Sequence, residues 1–158
     1  MSQQMSEMPE NAADVVIRKS VEVAVPVERA FRVFTEQAGS WWPLATHSVG
    51  QEEAVDLAFE PRLGGRVYET LRSGDEHEWG EILAWEPPRR LVFTWHPGRP
   101  AETAQELEVR FERSEGGTVL ELEHRGWHRL VATAEEVPEH YASGWDEVLE
   151  RYAEAVRA

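Results

Sequence analysis

Residues 137–158, VPEHYASGWDEVLERYAEAVRA, carry the periodicity on which the fold turns. Val137, Tyr141, Trp145, Val148, Leu149, Tyr152 and Val156 recur at steps of three and four, which gathers them on one face of a helix. At about 1.5 Å of rise per residue such a helix runs roughly 30 Å, enough to lie across the concave face of a six-stranded sheet. An apolar stripe of that length needs a broad apolar partner, so the rest of the chain is expected to supply a curved sheet.

Working back from that helix, the pattern becomes one of strands. In Thr118–Gly126 the inward parity is Thr118, Leu120, Leu122 and His124. In Thr103–Glu112 it is Leu107, Val109 and Phe111, with Glu106, Glu108 and Arg110 outside, and Glu115-Gly116-Gly117 makes a tight hairpin between the two. Arg90–His96 presents Leu91, Phe93 and Trp95. Pro87-Pro88, Ser73-Gly74-Asp75, Gly64-Gly65 and Pro61 mark off three further strands, Ala54–Glu60, Arg66–Leu71 and His77–Glu86. The last is ambiguous: His77, Trp79, Leu83 and Trp85 oppose Gly80, Ile82 and Ala84, and either set could face inward.

The first strand carries Val15, Ile17, Val21, Val23 and Val25 on one parity, interrupted by Lys19. Pro26 ends it and can open a helix, in which Val27, Ala30, Phe31 and Phe34 follow at helical spacing. Gly39-Ser40-Trp41-Trp42-Pro43 reads as a second helical turn, closed before the proline. The expected architecture is α+β: an antiparallel sheet of six to seven strands curved around a long C-terminal helix, with two short helices after the first strand. Residues 1–14, MSQQMSEMPENAAD, read as a flexible tail, and residues 15–158 as a single domain.

Composition limits the partners. Sixteen Lys and Arg face thirty Asp and Glu, a net charge of −14, which argues against nucleic acid and anionic membranes because both are met with clustered cations. Most of that charge is expected on a solvated outer face. No apolar run reaches the roughly 20 residues that span a bilayer, and residues 1–14 have no signal-peptide core, so a cytoplasmic protein is expected. With no Cys there is neither disulfide, thiolate site nor thiol nucleophile. His124 and His128 straddle a strand end, and no HExxH or GxSxG motif is present. No metal, cofactor or catalytic residue is therefore expected.

Seven Trp in 158 residues is the unusual number. Trp41, Trp42, His47, Trp79, Trp85, Trp95, Trp127, Tyr141 and Trp145 could wall a cavity for a flat or apolar molecule, or fill the space between sheet and helix. Trp41 and Trp42, adjacent on a short turn, are expected to diverge, one into the interior and one over its rim. Gly144 removes a side chain from the long helix beside Trp145, which permits a close approach. His124 continues an apolar parity. It is either a polar anchor for a ligand or a structural histidine satisfied by its neighbours, as buried polar groups normally are.

Four stretches resemble one family when taken together: VEVAVPVERAFRVFTE at 21–36, GEILAWEPPRRLVFTW at 80–95, LELEHRGW at 120–127 and GWDEVLERYAEAV at 144–156. The chain is similar from about Val15 to Arg157 to the C-terminal domain of the activator of Hsp90 ATPase. That domain is a branch of the START-like (Bet v 1-like, SRPBCC) superfamily with its helix-grip fold. The resemblance implies a deep cavity between sheet and C-terminal helix that accepts lipids, sterols, polyketides or other apolar ligands. It implies Trp95, His124, Trp127 and Trp145 as lining or capping positions, and Trp41 and Trp42 at the mouth. No shared catalytic set carries over.

The expected ligand-binding set is thus Trp41, Trp42, Trp95, His124, Trp127, Tyr141 and Trp145. The expected function is that of an intracellular carrier or sensor for a small hydrophobic or aromatic ligand. A polyketide cyclase/aromatase-like enzyme and a chaperone-associated interaction module stay open beside it, as do a homodimer and a protein partner met through the acidic surface.

Overall fold

A computed structural model of the chain describes residues 16–126 and 136–157, with side chains in the second segment from Ser143 onward. Seven strands, β1 (Ile17–Val23), β2 (Ala54–Phe59), β3 (Arg66–Leu71), β4 (Glu76–Glu86), β5 (Arg90–Trp95), β6 (Gln105–Ser114) and β7 (Gly117–Arg125), form one sheet. Its order is β1-β7-β6-β5-β4-β3-β2, antiparallel throughout. Two short helices, α1 (Val27–Glu36) and α2 (Ala38–Trp41), follow β1, and α3 (Glu136–Arg157) closes the chain. This is the α+β helix-grip architecture: a curled half-barrel sheet gripping a long C-terminal helix. The N-terminal tail read over residues 1–14 lies outside the described residues.

The strand parities explain which face is dry. β7 alternates buried and half-buried residues along its whole length, with Thr118, Leu120, Leu122 and His124 inward. Leu107, Val109 and Phe111 of β6 lie opposite His124, Leu122 and Leu120 in the register and share their burial. From the helix side Trp145, Val148, Leu149, Tyr152 and Val156 are all buried, each contributing on the order of 2 kcal/mol of apolar burial. The Tyr152 hydroxyl donates to the Ala30 carbonyl at 2.7 Å and ties α3 to α1. Lys19, the break in the inward parity of β1, reaches Asp146 of α3 at 2.9 Å, so its charge is paired at the sheet edge.

The ambiguity in β4 resolves into both alternatives in succession. Trp79 and Gly80 are buried, Ile82 is fully buried and Leu83 is exposed, and Trp85 then packs edge-on against Phe31 at 5.2 Å. Register shifts between Val67 and Tyr68 on one side, and between Ile82 and Ala84 on the other, mark the bulges that switch the parity. At Gly80 the paired strand comes so close that an added Cβ would strike the Thr94 carbonyl oxygen.

The outer face of the sheet carries the charge as an ion-pair network. Glu108 of β6 receives Arg90 and Arg125 at 2.7 Å and Arg110 at 3.1 Å. Burial alone would raise its pKa. The hydrogen bonds from Arg125, Arg90 and Arg110 outweigh that effect and hold it at about 2. Among the described residues no helix is long and apolar enough to cross a membrane.

Candidate functional site

A cavity of about 650 Å³ lies where residues 143–148 of α3 face the end of β5 and the segment after α2. That volume falls in the range of small-molecule sites, roughly 300–1,000 Å³. One wall is aromatic: Trp42, Trp95 and Trp145. These rings touch one another, with centroids at 6.0 Å for Trp42–Trp95, 5.8 Å for Trp42–Trp145 and 5.3 Å for Trp95–Trp145. The second wall is the segment Thr46, His47, Ser48 and Val49, and the third is Ser143, Gly144, Glu147 and Val148 of α3. Gly144 sits in mid-helix, where glycine costs about 1 kcal/mol relative to alanine. An added Cβ there would lie 3.6 Å from His47 Cδ2, ordinary van der Waals contact, so a side chain longer than alanine at this position would extend into the space beside His47.

Hydrogen bonds fix the rings that form the aromatic wall. Trp42 Nε1 donates to the His47 carbonyl at 2.8 Å, and Trp145 Nε1 donates to His124 Nδ1 at 3.1 Å. Behind them Trp79 packs on Trp42 and Trp95 and donates its Nε1 to Glu69 Oε1 at 2.6 Å. Trp95 Nε1, by contrast, is buried without a hydrogen-bond partner.

The loop wall is fastened just as firmly. The amides of Thr46 and His47 both donate to the Pro43 carbonyl, and Ser48 Oγ donates to Leu44 O at 2.6 Å. The amides of Val49 and Gly50 each donate to one oxygen of the Glu69 carboxylate at 2.8 Å. Glu69 is fully buried and takes three N–H donors, which is how its charge is accommodated away from water. Gln51, next in the chain, holds φ at 51°, a left-handed conformation that costs a non-glycine residue about 1 kcal/mol or more. Its amide is anchored on Ser48 Oγ at 2.8 Å.

His124 is fully buried behind Trp145, and its pKa is lowered to about 3 by burial. Nδ1 accepts from Trp145, which leaves the proton on Nε2 to be donated to Gln105 Oε1 at 3.2 Å. The Gln105 amide in turn donates to Thr103 O at 2.6 Å. The imidazole thus holds Trp145 from behind and is not part of the cavity lining.

The sequence-expected set therefore divides. Trp42, Trp95 and Trp145 meet on the lining. Trp41 packs against Phe34 and Tyr152 and donates to Val33 O at 2.9 Å, inside the core. Both Trp41 and Trp42 are buried, at 4% and 7% exposure, and contact each other at 5.6 Å, so the expected split between interior and rim becomes a split between core and cavity wall. Trp127 and the side chain of Tyr141 lie outside the described residues. His47 was visible only as one aromatic among many, because its loop has no period. Glu69 carried a readable signal, a carboxylate on the apolar parity of Val67. Among the described residues no group of three or more His, Asp or Glu is arranged to hold a metal ion.

The fold recurs in known proteins. The anthrahydroquino-γ-pyrone synthase Txn09 is 39% identical over 93% of this chain and 99% of its own, with a TM-score of 0.62. DynU16, a protein of the dynemicin biosynthetic locus, is 19% identical over 92% of this chain and 48% of its own, at a TM-score of 0.68. The AHSA1-like protein from Aeromonas hydrophila is 16% identical over 90% and 92%, at 0.65, and at these last two identities the likeness is one of fold. Among curated proteins no sequence matches. The family model of the activator of Hsp90 ATPase homolog 1-like proteins matches residues 24–157, from the end of β1 to the end of α3. With its grip helix, curled sheet and matched span, the chain belongs to the activator of Hsp90 ATPase homolog 1-like family.

Proposed function

We propose that this protein binds a flat aromatic molecule in the cavity between α3, the end of β5 and residues 42–49, as a carrier or sensor inside the cell. One observation carries this reading: three mutually touching indoles, two of them held through their ring N–H groups, line a cavity into which α3 presents no side chain at Gly144. A preorganised aromatic wall offers stacking area with little ordering cost on binding. The polar side chains of the lining, Thr46, His47 and Ser48 from the loop and Ser143 and Glu147 from α3, suit a ring system that carries oxygen substituents. A second reading is enzymatic, chemistry on an aromatic polyketide held in the same cavity. It is favoured by the 39% identity to a protein named as an anthrahydroquino-γ-pyrone synthase.

Both readings require the cavity, so the first test blocks it. Titration with 9,10-anthraquinone as probe is expected to quench tryptophan emission saturably in the wild type. Gly144→Leu is expected to weaken that binding by about a hundredfold, or ~2.7 kcal/mol. The melting temperature should stay level or rise slightly, since leucine is the better helix former by about 0.8 kcal/mol. Unchanged affinity in a folded Gly144→Leu protein would place the ligand elsewhere.

A further inference from the structure

We propose that His47 is the polar anchor of the cavity, a proton acceptor for an acidic hydroxyl on the bound ring. The inference rests on the aromatic-ligand reading above and names the substituent such a ligand carries. His47 is half-buried on the lining, and its Cδ2–Nε2 edge faces Gly144, with Nε2 3.7 Å from where a Cβ would stand. The other ring nitrogen is occupied: Nδ1 lies 2.7 Å from Thr46 Oγ1. The Thr46 hydroxyl has a carbonyl to donate to, Pro43 O at 3.4 Å. With the threonine proton on that carbonyl, Thr46 Oγ1 accepts from Nδ1–H, and the lone pair falls on Nε2.

Among the described residues no group bonds Nε2. The histidine backbone is immobilised at the same time, since its amide donates to Pro43 O and its carbonyl accepts from Trp42 Nε1. A histidine with one nitrogen locked by a neighbour and the other presented to an open cavity is the arrangement of a general base. The second ionisable side chain on the lining is Glu147 of α3, which forms no ion pair with His47 among the described residues.

The chemistry that fits is a phenol or enol on a fused aromatic ring, the ring lying on Trp42 and Trp145 and the hydroxyl directed at Nε2. In the transfer the O–H bond breaks and its electrons stay on oxygen. The Nε2 lone pair forms the new N–H bond, while Nδ1 keeps its proton on Thr46. The product is an aryloxide paired with an imidazolium. No oxidant, metal or further reactant is required, and the aryloxide is the nucleophilic form needed to close an oxygen ring.

The probes are 2-hydroxyanthraquinone and its methyl ether, whose ring systems match and which differ in the transferable proton. At pH 7 the wild type is expected to prefer the hydroxy probe by about tenfold, the scale of one hydrogen bond to a group that becomes charged. The bound hydroxy probe should show the visible band of its ionised form. His47→Phe keeps ring volume and removes the acceptor. It should abolish both the preference and the ionised band, so that the two probes bind with equal affinity. Thr46→Val removes the lock on Nδ1 and should reduce the preference several-fold, a change that a packing role for His47 would not produce. A wild type that binds both probes equally, or a His47→Phe protein that keeps the ionised band, overturns the role of His47 and leaves the cavity reading standing. Failure of the wild type to bind either probe overturns the cavity reading and His47 with it.

Discussion

Replacing His124 by alanine is expected to cost about 4 kcal/mol of folding stability at neutral pH, although the residue touches no solvent and lines no cavity. Two contributions add. Removing a fully buried ring leaves a void that the surrounding Trp95, Trp145 and Leu107 fill only in part, a loss of several kcal/mol in comparable cores. Trp145 Nε1 and Gln105 Oε1 then lose their partner inside the protein, at about 1–3 kcal/mol for each group left unsatisfied. Chemical denaturation at pH 7 measures the sum. A folded, fully stable His124→Ala protein would contradict the structural role.

The same residue gives the wild type a pH dependence of fixed sign. The unfolded chain protonates this imidazole below pH 6.5, whereas the folded chain does so only near pH 3. Stability from the neutral, buried ring is therefore complete above pH 6.5 and declines as pH falls towards 3. The slope is about 1.4 kcal/mol per pH unit. Glu108 works in a lower window. Its pKa drops from 4.5 to about 2 on folding, so its contribution is present above pH 4.5 and is lost as pH falls towards 2. Denaturation between pH 6.5 and 4.5 thus reads His124 before Glu108 enters, and His124→Ala should flatten that interval by about one proton.

Gly80→Val is the second substitution with a large expected effect. The glycine is buried where β4 changes parity, and an added Cβ meets the backbone of Thr94, which cannot rotate aside as a side chain would. On either side the approach is fastened, by His96 N to Trp79 O at 2.6 Å and by Glu81 N to Thr94 Oγ1 at 2.8 Å. Overpacking costs about 1–3 kcal/mol in ordinary cores, and contact with paired backbone puts this position at the top of that range. The expected loss is about 10 °C in melting temperature. Since Trp79 and Trp95 flank the contact, aromatic-probe binding should weaken as well. A melting temperature within about 2 °C of wild type would show that β5 yields at Thr94.

These residues also show what a chain discloses before it folds. The period-two run of β7 and the three-and-four steps of α3 identify sheet and grip helix, because burial on one face leaves an alternation that composition cannot hide. β4 resists the same reading. Its bulges reset the parity twice, and Gly80 was the only local sign of them. For the cavity, Trp42, Trp95 and Trp145 stood out by type and place. What separated Trp42 from Trp41, or gave His124 to Trp145 and Gln105, was contact of α2 with α1 and of β7 with β6 and α3, which no spacing encodes. Likewise His47 acquires its direction from Thr46 and Gly144, the latter about a hundred residues away.

An aromatic ligand bound in the cavity sits against the indoles of Trp42, Trp95 and Trp145. The indole N–H resonances of 15N-tryptophan-labelled protein, recorded while 9,10-anthraquinone is titrated in, test that directly. Saturable shifts are expected to be largest at Trp42, Trp95 and Trp145, with Trp85, which packs on Phe31 and is not part of the lining, moving least. An absence of saturable shifts, or shifts centred on Trp85, would contradict it.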